Sequence, residues 1–402
     1  MYMTAAPSNS EGAFLLEENM NINLLLLALM AFLAGLAEFV IAGIIPYLAD
    51  YFQVTTEQAG LLVTVFAFIF AIAGPILMMV TSAIKRRTLL IGFNILFIIG
   101  NLLSVMSTTY GMIMLSRIVL AISVSMLVGL AFSLCVKVVR QPFQPRAIGI
   151  VLMALSSAMV LGSPIGIFLS SLYSWKMVFM GIAVLSVVTL LITVKYFPSD
   201  LEVEKLSLKD DLKGLLRKDL IAAHCYTFLF FTGQSVFYIY FSPYLLHEKV
   251  SATVISLLFI VFGVCGTLGS GLGGLLTEKW GSRRALVVLS MLYAVVMAGY
   301  LVSSSVGWLF INTALLGLVG WSINAPTQSY LIERSEKYAS INQTVSTSSV
   351  QFGISFGALL GGMILGAYAS YTLLIVWAVV ILIGTVIVSL MLFRFSRERR
   401  LP

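Results

Sequence analysis

The sequence predicts an all-helical membrane protein whose twelve transmembrane helices form two pseudo-symmetric six-helix bundles. The composition, the spacing of the charged residues and an internal repeat lead to this prediction. Of the 402 residues, 60% are hydrophobic and 10% are charged, and the mean hydropathy is +1.03. A soluble domain is nearer half apolar and about a quarter charged. The composition therefore excludes a water-soluble fold.

Charged residues divide the chain into apolar runs, and one transmembrane helix needs roughly 20 such residues. The two longest charge-free runs, 285–332 and 338–393, are each long enough for two spans and have a polar break near the middle. The predicted spans lie near residues 23–49, 57–82, 89–108, 111–136, 147–170, 176–196, 219–245, 251–276, 285–303, 307–332, 342–367 and 373–393.

The basic residues predict the orientation. Nearly all of the 24 lysines and arginines lie in the loops after even-numbered spans, in the linker between the halves, or in the C-terminal tail. Basic loops remain cytoplasmic in multi-spanning proteins, so both termini are expected to face the cytoplasm of a bacterial inner membrane. This asymmetry explains the net charge of +7 without a nucleic-acid partner.

These spans divide the chain into two bundles joined by a charged linker. The first 21 residues lack the basic region of a signal peptide and read as a disordered cytoplasmic tail, in which Met20 is an alternative translation start to Met1. The predicted segments are the tail 1–21, the N-terminal bundle 22–196, the linker 197–218, the C-terminal bundle 219–393 and the tail 394–402.

The two bundles repeat each other in sequence. Pro46-Tyr47-Leu48 recurs as Pro243-Tyr244-Leu245, and the glycines Gly162 and Gly166 recur 195 residues later as Gly357 and Gly361. Parallel six-helix repeats of this kind enclose a cavity near the middle of the membrane. The repeat therefore indicates a transporter that opens to alternate sides.

Several kinds of chemistry are excluded. The three cysteines lie in apolar stretches without a CxxC spacing, there are only two histidines, and no GxxxxGK[ST] loop occurs. No cofactor and no metal are expected. A membrane-embedded enzyme or a receptor is the rival class, and no nucleophile–base pair or sizeable soluble domain favours it.

Glu38 is the one acidic residue that does not lie in a tail, a loop or the end of a predicted span, and it stands eight residues and about 12 Å before Pro46. A carboxylate at this depth costs several kcal/mol unless it is paired or protonated, and intramembrane acids are functional by default. Glu38 is thus the candidate proton carrier. The alternative is a structural role, in which it holds two helices together permanently.

Arg117 is the basic residue well inside a helix, in the fourth span. It could pair with Glu38, hold a polar substrate or lock helix packing, and the sequence leaves these alternatives open. Polar and aromatic side chains within other spans are candidates for lining a substrate cavity of mixed polarity. The predicted substrate-binding residues are Phe66, Gln234, Tyr238, Tyr240, Trp321, Asn324, Gln328 and Gln351.

Three motifs give the chain a family resemblance over essentially its whole length. The segment from Gly74-Pro75 to Lys85-Arg86-Arg87, the run Leu115-Ser116-Arg117, and Gly162-Ser163-Pro164-Ile165-Gly166 resemble signatures of the major facilitator superfamily. The match is to its bacterial twelve-helix drug:proton antiporters. The surroundings of Glu38 and Tyr238-Ile239-Tyr240 look most like the branches that export purine nucleosides, sugars and chloramphenicol.

The resemblance implies a major facilitator fold, a proton-transfer role for Arg117 and a monomer. This sequence departs from the family pattern in the loop between the second and third spans, where it has Ser82 and many members have an aspartate. The copy of this loop in the second half has an acid, Glu278. The residues that the resemblance assigns to conformational motifs are Gly74, Arg86, Gly162, Pro164, Gly166, Glu278 and Arg283.

The predicted function is export of a small organic molecule in exchange for protons, across a lipid bilayer. In this hypothesis Glu38 carries the proton, Arg117 tunes it, and the bundles rock about the middle of the membrane. An uncoupled facilitator is the alternative within transport. The sequence does not identify the substrate.

Overall fold

A computed structural model describes residues 9–199, 217–303, 305–334 and 339–394, and the secondary structure within these ranges is helical. Most of the predicted linker 197–218 and the tail 394–402 lie outside the described residues. The helices are α1 (Asn9–Phe52), α2 (Thr56–Val80), α3 (Arg86–Met106), α4 (Tyr110–Cys135), α5 (Gln144–Leu172), α6 (Lys176–Tyr196), α7 (Lys218–Tyr238), α8 (Phe241–His247), α9 (Ala252–Trp280), α10 (Ser282–Ala298), α11 (Val306–Ser322), α12 (Asn324–Arg334), α13 (Ala339–Tyr368) and α14 (Tyr371–Arg394).

Twelve segments in the described part of the chain are long and apolar enough to cross a membrane. They correspond to the twelve predicted spans, so the predicted fold class is confirmed. The seventh span consists of α7 and α8, and the tenth of α11 and α12. Each of these two spans is broken where the sequence analysis expected one continuous helix.

Proline explains both breaks. A proline ring clashes with the carbonyl group four residues earlier and removes one backbone donor. Pro243 lies in α8, four residues after Ile239, where α7 has just ended. Pro326 lies in α12, four residues after the last residue of α11. In both spans the helix stops four or five residues before the proline.

The first helix is longer than predicted. The sequence analysis treated residues 1–21 as a tail, whereas α1 is helical from Asn9 onward. Residues 14–18 are phenylalanine, leucine and glutamate, which are compatible with a helix and add no breaking proline. The same helix ends at Phe52, so Glu38 lies about 21 Å from that end, nearer the middle of the span than predicted.

The helices pack as two bundles, α1–α6 and α7–α14, which we call the N-half and the C-half. Within the halves, α1 packs mainly on α5, α13 on α7 and α9 on α11. Between the halves, α2 packs against α13 and α5 against α9. The C-half therefore meets the N-half along two seams.

Hydrogen bonds join the two halves close to the loops at one end of the protein, whereas toward the other end the bond along α2 and α13 lies further inside. The loops after even-numbered spans lie at the basic end, and the loops after odd-numbered spans lie at the opposite end. Near the opposite end, Ser242 of α8 donates a hydrogen bond to the Gly43 carbonyl group of α1 (3.1 Å). Further along the α2–α13 seam, Ser348 bonds the Ala71 carbonyl group (2.9 Å), about 14 Å before α2 ends at the basic end.

Candidate functional site

Glu38 lies where α1 approaches the C-half. Its Oε1 atom accepts a hydrogen bond of 2.9 Å from Nε2 of Gln351 in α13. Gln351 is buried, and Glu38 is half-buried. The structure thus brings together two of the predicted site residues, one from each half. A change in the relative position of the halves changes the environment of this carboxyl group.

Arg117 is fully buried beside the same stretch of α1. Its Nη1 atom donates a hydrogen bond to the Ala37 carbonyl group (2.9 Å), and its guanidinium carbon lies 4.2 Å from the centroid of the Phe66 ring. The structure describes the side chains of both Glu38 and Arg117, and they form no ion pair with each other. Arg117 therefore holds the backbone next to Glu38, and Phe66 holds Arg117.

The glycine motif of α5 supports α1 at the same level. A Cβ atom at Gly162 would lie 3.1 Å from Cβ of Phe39, and one at Gly166 would lie 2.6 Å from Cγ2 of Val40. Ser163 donates a hydrogen bond to the Phe39 carbonyl group (2.9 Å). These contacts place α5 directly against the turn of α1 that carries Glu38. Pro164 lies within α5 without ending it.

A second group of predicted site residues lies in the C-half. The rings of Tyr238 and Phe262 have centroids 4.7 Å apart, and Gly266, one turn further along α9, lies against the indole of Trp321. Asn324 and Gln328 follow on α12, one turn apart. Phe262 and Gly266 lie near the middle of α9, so this group is at about the same depth as Glu38.

Some polar atoms in this C-half group have no protein partner. Nε1 of Trp321 and Oε1 of Gln328 are buried and make no hydrogen bond to the described residues. Buried polar groups normally find partners, and in a membrane interior they cannot rely on bulk water. These atoms are therefore available to a polar ligand. Gln234 lies beside Tyr293, further inside the C-half.

Tyr240 is not part of either group. It is fully buried, and its hydroxyl group donates a hydrogen bond to the Ala358 carbonyl group (2.8 Å). A Cβ atom at Gly60 of α2 would overlap with the Tyr240 hydroxyl group, and one at Gly362 would lie 2.7 Å from it. The structure places Tyr240 at the contact between the halves near the opposite end.

The loop motifs lie at the basic end, away from Glu38. Arg86 is buried at the start of α3, whereas Glu278 is exposed in the last turn of α9. Beside Arg283, Ser282 donates a hydrogen bond to Oε2 of Glu333 (3.1 Å). The acid joined to this loop is thus Glu333, which the sequence analysis did not single out. In the N-half, a Cβ atom at Gly74 would be 3.6 Å from Ser125.

The sequence analysis also missed two serines of α13. Ser348 donates to the Ala71 carbonyl group, and Ser355 donates to that of Thr64, both at 2.9 Å. The donors and the acceptors are each seven residues apart, as antiparallel packing of α13 on α2 requires. With Gln351 between them, the serines share one helix face, a spacing that the sequence does contain.

The side chains of the candidate site are suited to binding rather than to bond-breaking chemistry. In the described part of the chain, no three histidine, cysteine, aspartate or glutamate side chains come together to hold a metal ion. A half-buried carboxyl group and a buried guanidinium group in the N-half, with polar side chains of the C-half, can bind a proton and a small polar molecule. They offer no nucleophile beside a base.

Comparisons with known proteins agree with this architecture. An uncharacterized MFS-type transporter of Bacillus subtilis, YbcL, is 28% identical over 382 residues, which cover 94% of this chain and 97% of the relative. A probable sugar efflux transporter of Mannheimia succiniciproducens is 26% identical over 375 residues, covering 93% and 94%.

Among solved structures, a bacterial homolog of the human lysosomal transporter Spinster, in an inward-facing and occupied conformation, has a similar fold. Its TM-score is 0.72 at 17% identity, and the match covers 93% of this chain and 96% of that one. The sequence model of the Major Facilitator Superfamily matches residues 27–223 and again 223–402. The chain therefore belongs to the Major Facilitator Superfamily and is a membrane transporter, not an enzyme.

Proposed function

We propose that this transporter exports a small, uncharged polar molecule in exchange for protons, with Glu38 as the proton carrier. The hydrogen bond between Glu38 and Gln351 carries the proposal, because it joins an ionisable group to the contact between the two halves. When the halves separate at this level, the carboxyl group loses its partner. Gain or loss of a proton at Glu38 is then linked to the conformation of the transporter.

Arg117 keeps Glu38 in place in this scheme. Its hydrogen bond to the Ala37 carbonyl group fixes the turn of α1, and its positive charge lies close by without forming an ion pair. A direct ion pair would hold the carboxylate permanently ionised. The observed arrangement instead leaves Glu38 able to exchange its partner. Basic loops at the end that carries the termini support a cytoplasmic location for that end.

A sugar or a nucleoside fits the C-half group best. Tyr238 and Trp321 offer aromatic faces, and Asn324 and Gln328 offer amide donors and acceptors, the combination used for flat, hydroxyl-rich ligands. The efflux relative is a probable sugar transporter, which supports testing sugars first. Trp321→Ala is expected to weaken substrate binding at least tenfold. Trp308→Ala, which removes an indole near the opposite end, is the matched control.

The coupling is tested in proteoliposomes with an acidic interior. Radiolabelled mono- and disaccharides, inosine and chloramphenicol are added outside, and accumulation above equilibrium is measured. The wild type is expected to accumulate its substrate, because protons leave in exchange. Glu38→Gln is expected to reach equilibrium only, while still exchanging labelled for unlabelled substrate, which shows that it folds and binds.

Two results would contradict the proposal. Equilibration by the wild type, regardless of the pH difference, would identify an uncoupled facilitator. Accumulation by Glu38→Gln at the wild-type level would show that another group carries the proton.

A further inference from the structure

A groove of about 600 Å³ opens on the flank of the protein, and Glu38, Gln351 and Arg117 are not among its lining residues. It lies where α2 of the N-half meets α7 and α13 of the C-half. Its walls are mainly apolar, and His224 and two serines contribute the polar part. The principal lining side chains are Phe68, Ile221, Cys225, Phe228, Phe352 and Phe356.

The length of the groove matches one leaflet of a bilayer. Along α13 it extends from Val345 to Phe356, which is about 16 Å at the rise of an α-helix. Half of a hydrocarbon core roughly 30 Å thick is about 15 Å. Along α7 it begins at Ile221, in the first turn from the basic end. The groove thus runs from the basic end to about the middle of the membrane.

A positive charge lies at the mouth of the groove. Lys218 is the exposed first residue of α7, and helical spacing puts it on the same face as Ile221 and Cys225. The neighbouring Arg217 is already engaged, because it bonds Asp219 at 2.7 Å and the Arg334 carbonyl group at 2.8 Å. Lys218 is therefore the cation that an anionic group at this mouth would meet.

We propose that this groove binds one acyl chain of an anionic phospholipid, whose phosphate lies at Lys218. An apolar channel one leaflet long with a lysine at its membrane–water end is complementary to such a lipid in both length and charge. Aromatic rings provide the contact area for the acyl chain. The ring centroids of Phe68 and Phe352 are 5.8 Å apart, so these two rings connect the walls of the groove.

The walls come from both halves, which gives the lipid a structural effect. Phe68 belongs to the N-half, and the other principal lining residues belong to the C-half. A ligand that fits the groove in this conformation stabilises this arrangement of the halves over others. The lipid therefore acts on the conformational equilibrium without entering the substrate site.

Native mass spectrometry of the purified full-length protein tests the proposal, with phosphatidylglycerol and phosphatidylcholine as probes. Cys225→Trp fills the groove with a bulky side chain, and Lys218→Gln removes the charge. Val295→Trp, at an exposed position of α10 outside the groove, is the matched control for the added indole. The monodispersity of each variant is checked by size exclusion.

The wild type and Val295→Trp are expected to retain one phosphatidylglycerol more than Cys225→Trp at equal lipid concentration. Lys218→Gln is expected to weaken retention of phosphatidylglycerol about fivefold and to leave phosphatidylcholine unaffected, as the contribution of one lysine near anionic lipid implies. Equal retention by Cys225→Trp and the wild type would refute the groove. Equal affinity of the wild type for both lipids, unchanged in Lys218→Gln, would refute the anionic ligand.

Discussion

The Glu38 carboxylate and the Gln351 amide, 313 residues apart in the chain, are joined across the two halves by a hydrogen bond of 2.9 Å. The remaining oxygen of Gln351 is buried without a partner among the described residues. A rotation of the amide group would present this oxygen to a protonated Glu38. Gln351 is therefore able to bond either protonation state of the carboxyl group.

Gln351→Leu tests this relationship, because leucine keeps the volume but neither donates nor accepts. Hydrogen bonds to charged groups contribute about 1.5–3 kcal/mol, so proton-driven accumulation is expected to fall at least tenfold. Gln351→Glu and Gln351→Asn are expected to fall between Gln351→Leu and the wild type, because each can still form a hydrogen bond. Accumulation by Gln351→Leu at the wild-type level would show that the two residues act separately.

The contact between Arg117 and Phe66 predicts a stability effect. A desolvated cation over an aromatic ring contributes about 2 kcal/mol. Phe66→Leu is therefore expected to lower the free energy of unfolding by about 2 kcal/mol more than Phe97→Leu, which removes an equally buried ring. Phe66→Tyr is expected to retain most of the stability. Thermal unfolding in detergent measures the difference, and equal losses at both positions would contradict the stabilising role of the ring.

Gly60→Ala is expected to prevent full closure at the opposite end. The new methyl group would overlap with the Tyr240 hydroxyl group, whereas at Gly92 a Cβ atom meets nothing within 4 Å, so Gly92→Ala is the control. Spin labels at Thr108, in the loop after α3, and at Val306, the first residue of α11, report the separation of the halves at that end by pulsed electron resonance. Gly60→Ala is expected to lengthen the distance.

Removing the hydroxyl group tests the cause of this opening. In Gly60→Ala combined with Tyr240→Phe, the overlap is relieved and the short distance is expected to return, although the bond to the Ala358 carbonyl group is lost. A spin-label distance that is the same in Gly60→Ala and the wild type would mean that the contact between Gly60 and Tyr240 does not hold this end closed.

Ser355→Ala is expected to shift the equilibrium between the closed and open forms of the opposite end slightly toward the open form. The serine donates to the Thr64 carbonyl group in the other half, and a hydrogen bond between membrane helices contributes about 0.6 kcal/mol on average. The ratio of closed to open populations is expected to fall about threefold. Ser349→Ala is the matched control, because Ser349 bonds only its own helix at Val345. Equal closed and open populations in both variants would show that the hydrogen bond from Ser355 to Thr64 does not stabilise the closed form.

Much of the fold follows from the sequence because each span carries its own signal. Apolar runs, punctuating charges and the repeat predict twelve helices and their division into halves. The breaks after Tyr238 and Ser322 were not predicted, although Pro243 and Pro326 cause them. A proline inside an apolar run is compatible with a continuous helix, as Pro164 in α5 demonstrates. Only the surrounding packing decides between the two outcomes.

The sequence singles out individual residues of the candidate site, but it does not predict the contacts between them. Glu38 stands out because charge is rare at that depth, and Gln351 because amides are uncommon in apolar spans. Their contact depends on how α1 faces α13, which no local pattern encodes. The same holds for Arg117, whose depth is compatible with pairing to Glu38 although its bond goes to the Ala37 carbonyl group. Tyr238 and Tyr240 are both tyrosines of the same span, yet Tyr240 lies at the contact between the halves near the opposite end.

The solitary interior acid sets an energetic ceiling. Glu38 is the single carboxyl group in the middle of a described span, so if the proposed exchange uses this group alone, each cycle moves one proton. With uncharged cargo, every turnover then carries one net positive charge inward, and a membrane potential drives it with about 2.3 kcal/mol per 100 mV. The steepest substrate concentration gradient that 100 mV alone sustains is roughly 50-fold, so a membrane that loses this voltage at a constant pH difference lowers the attainable gradient by the same factor.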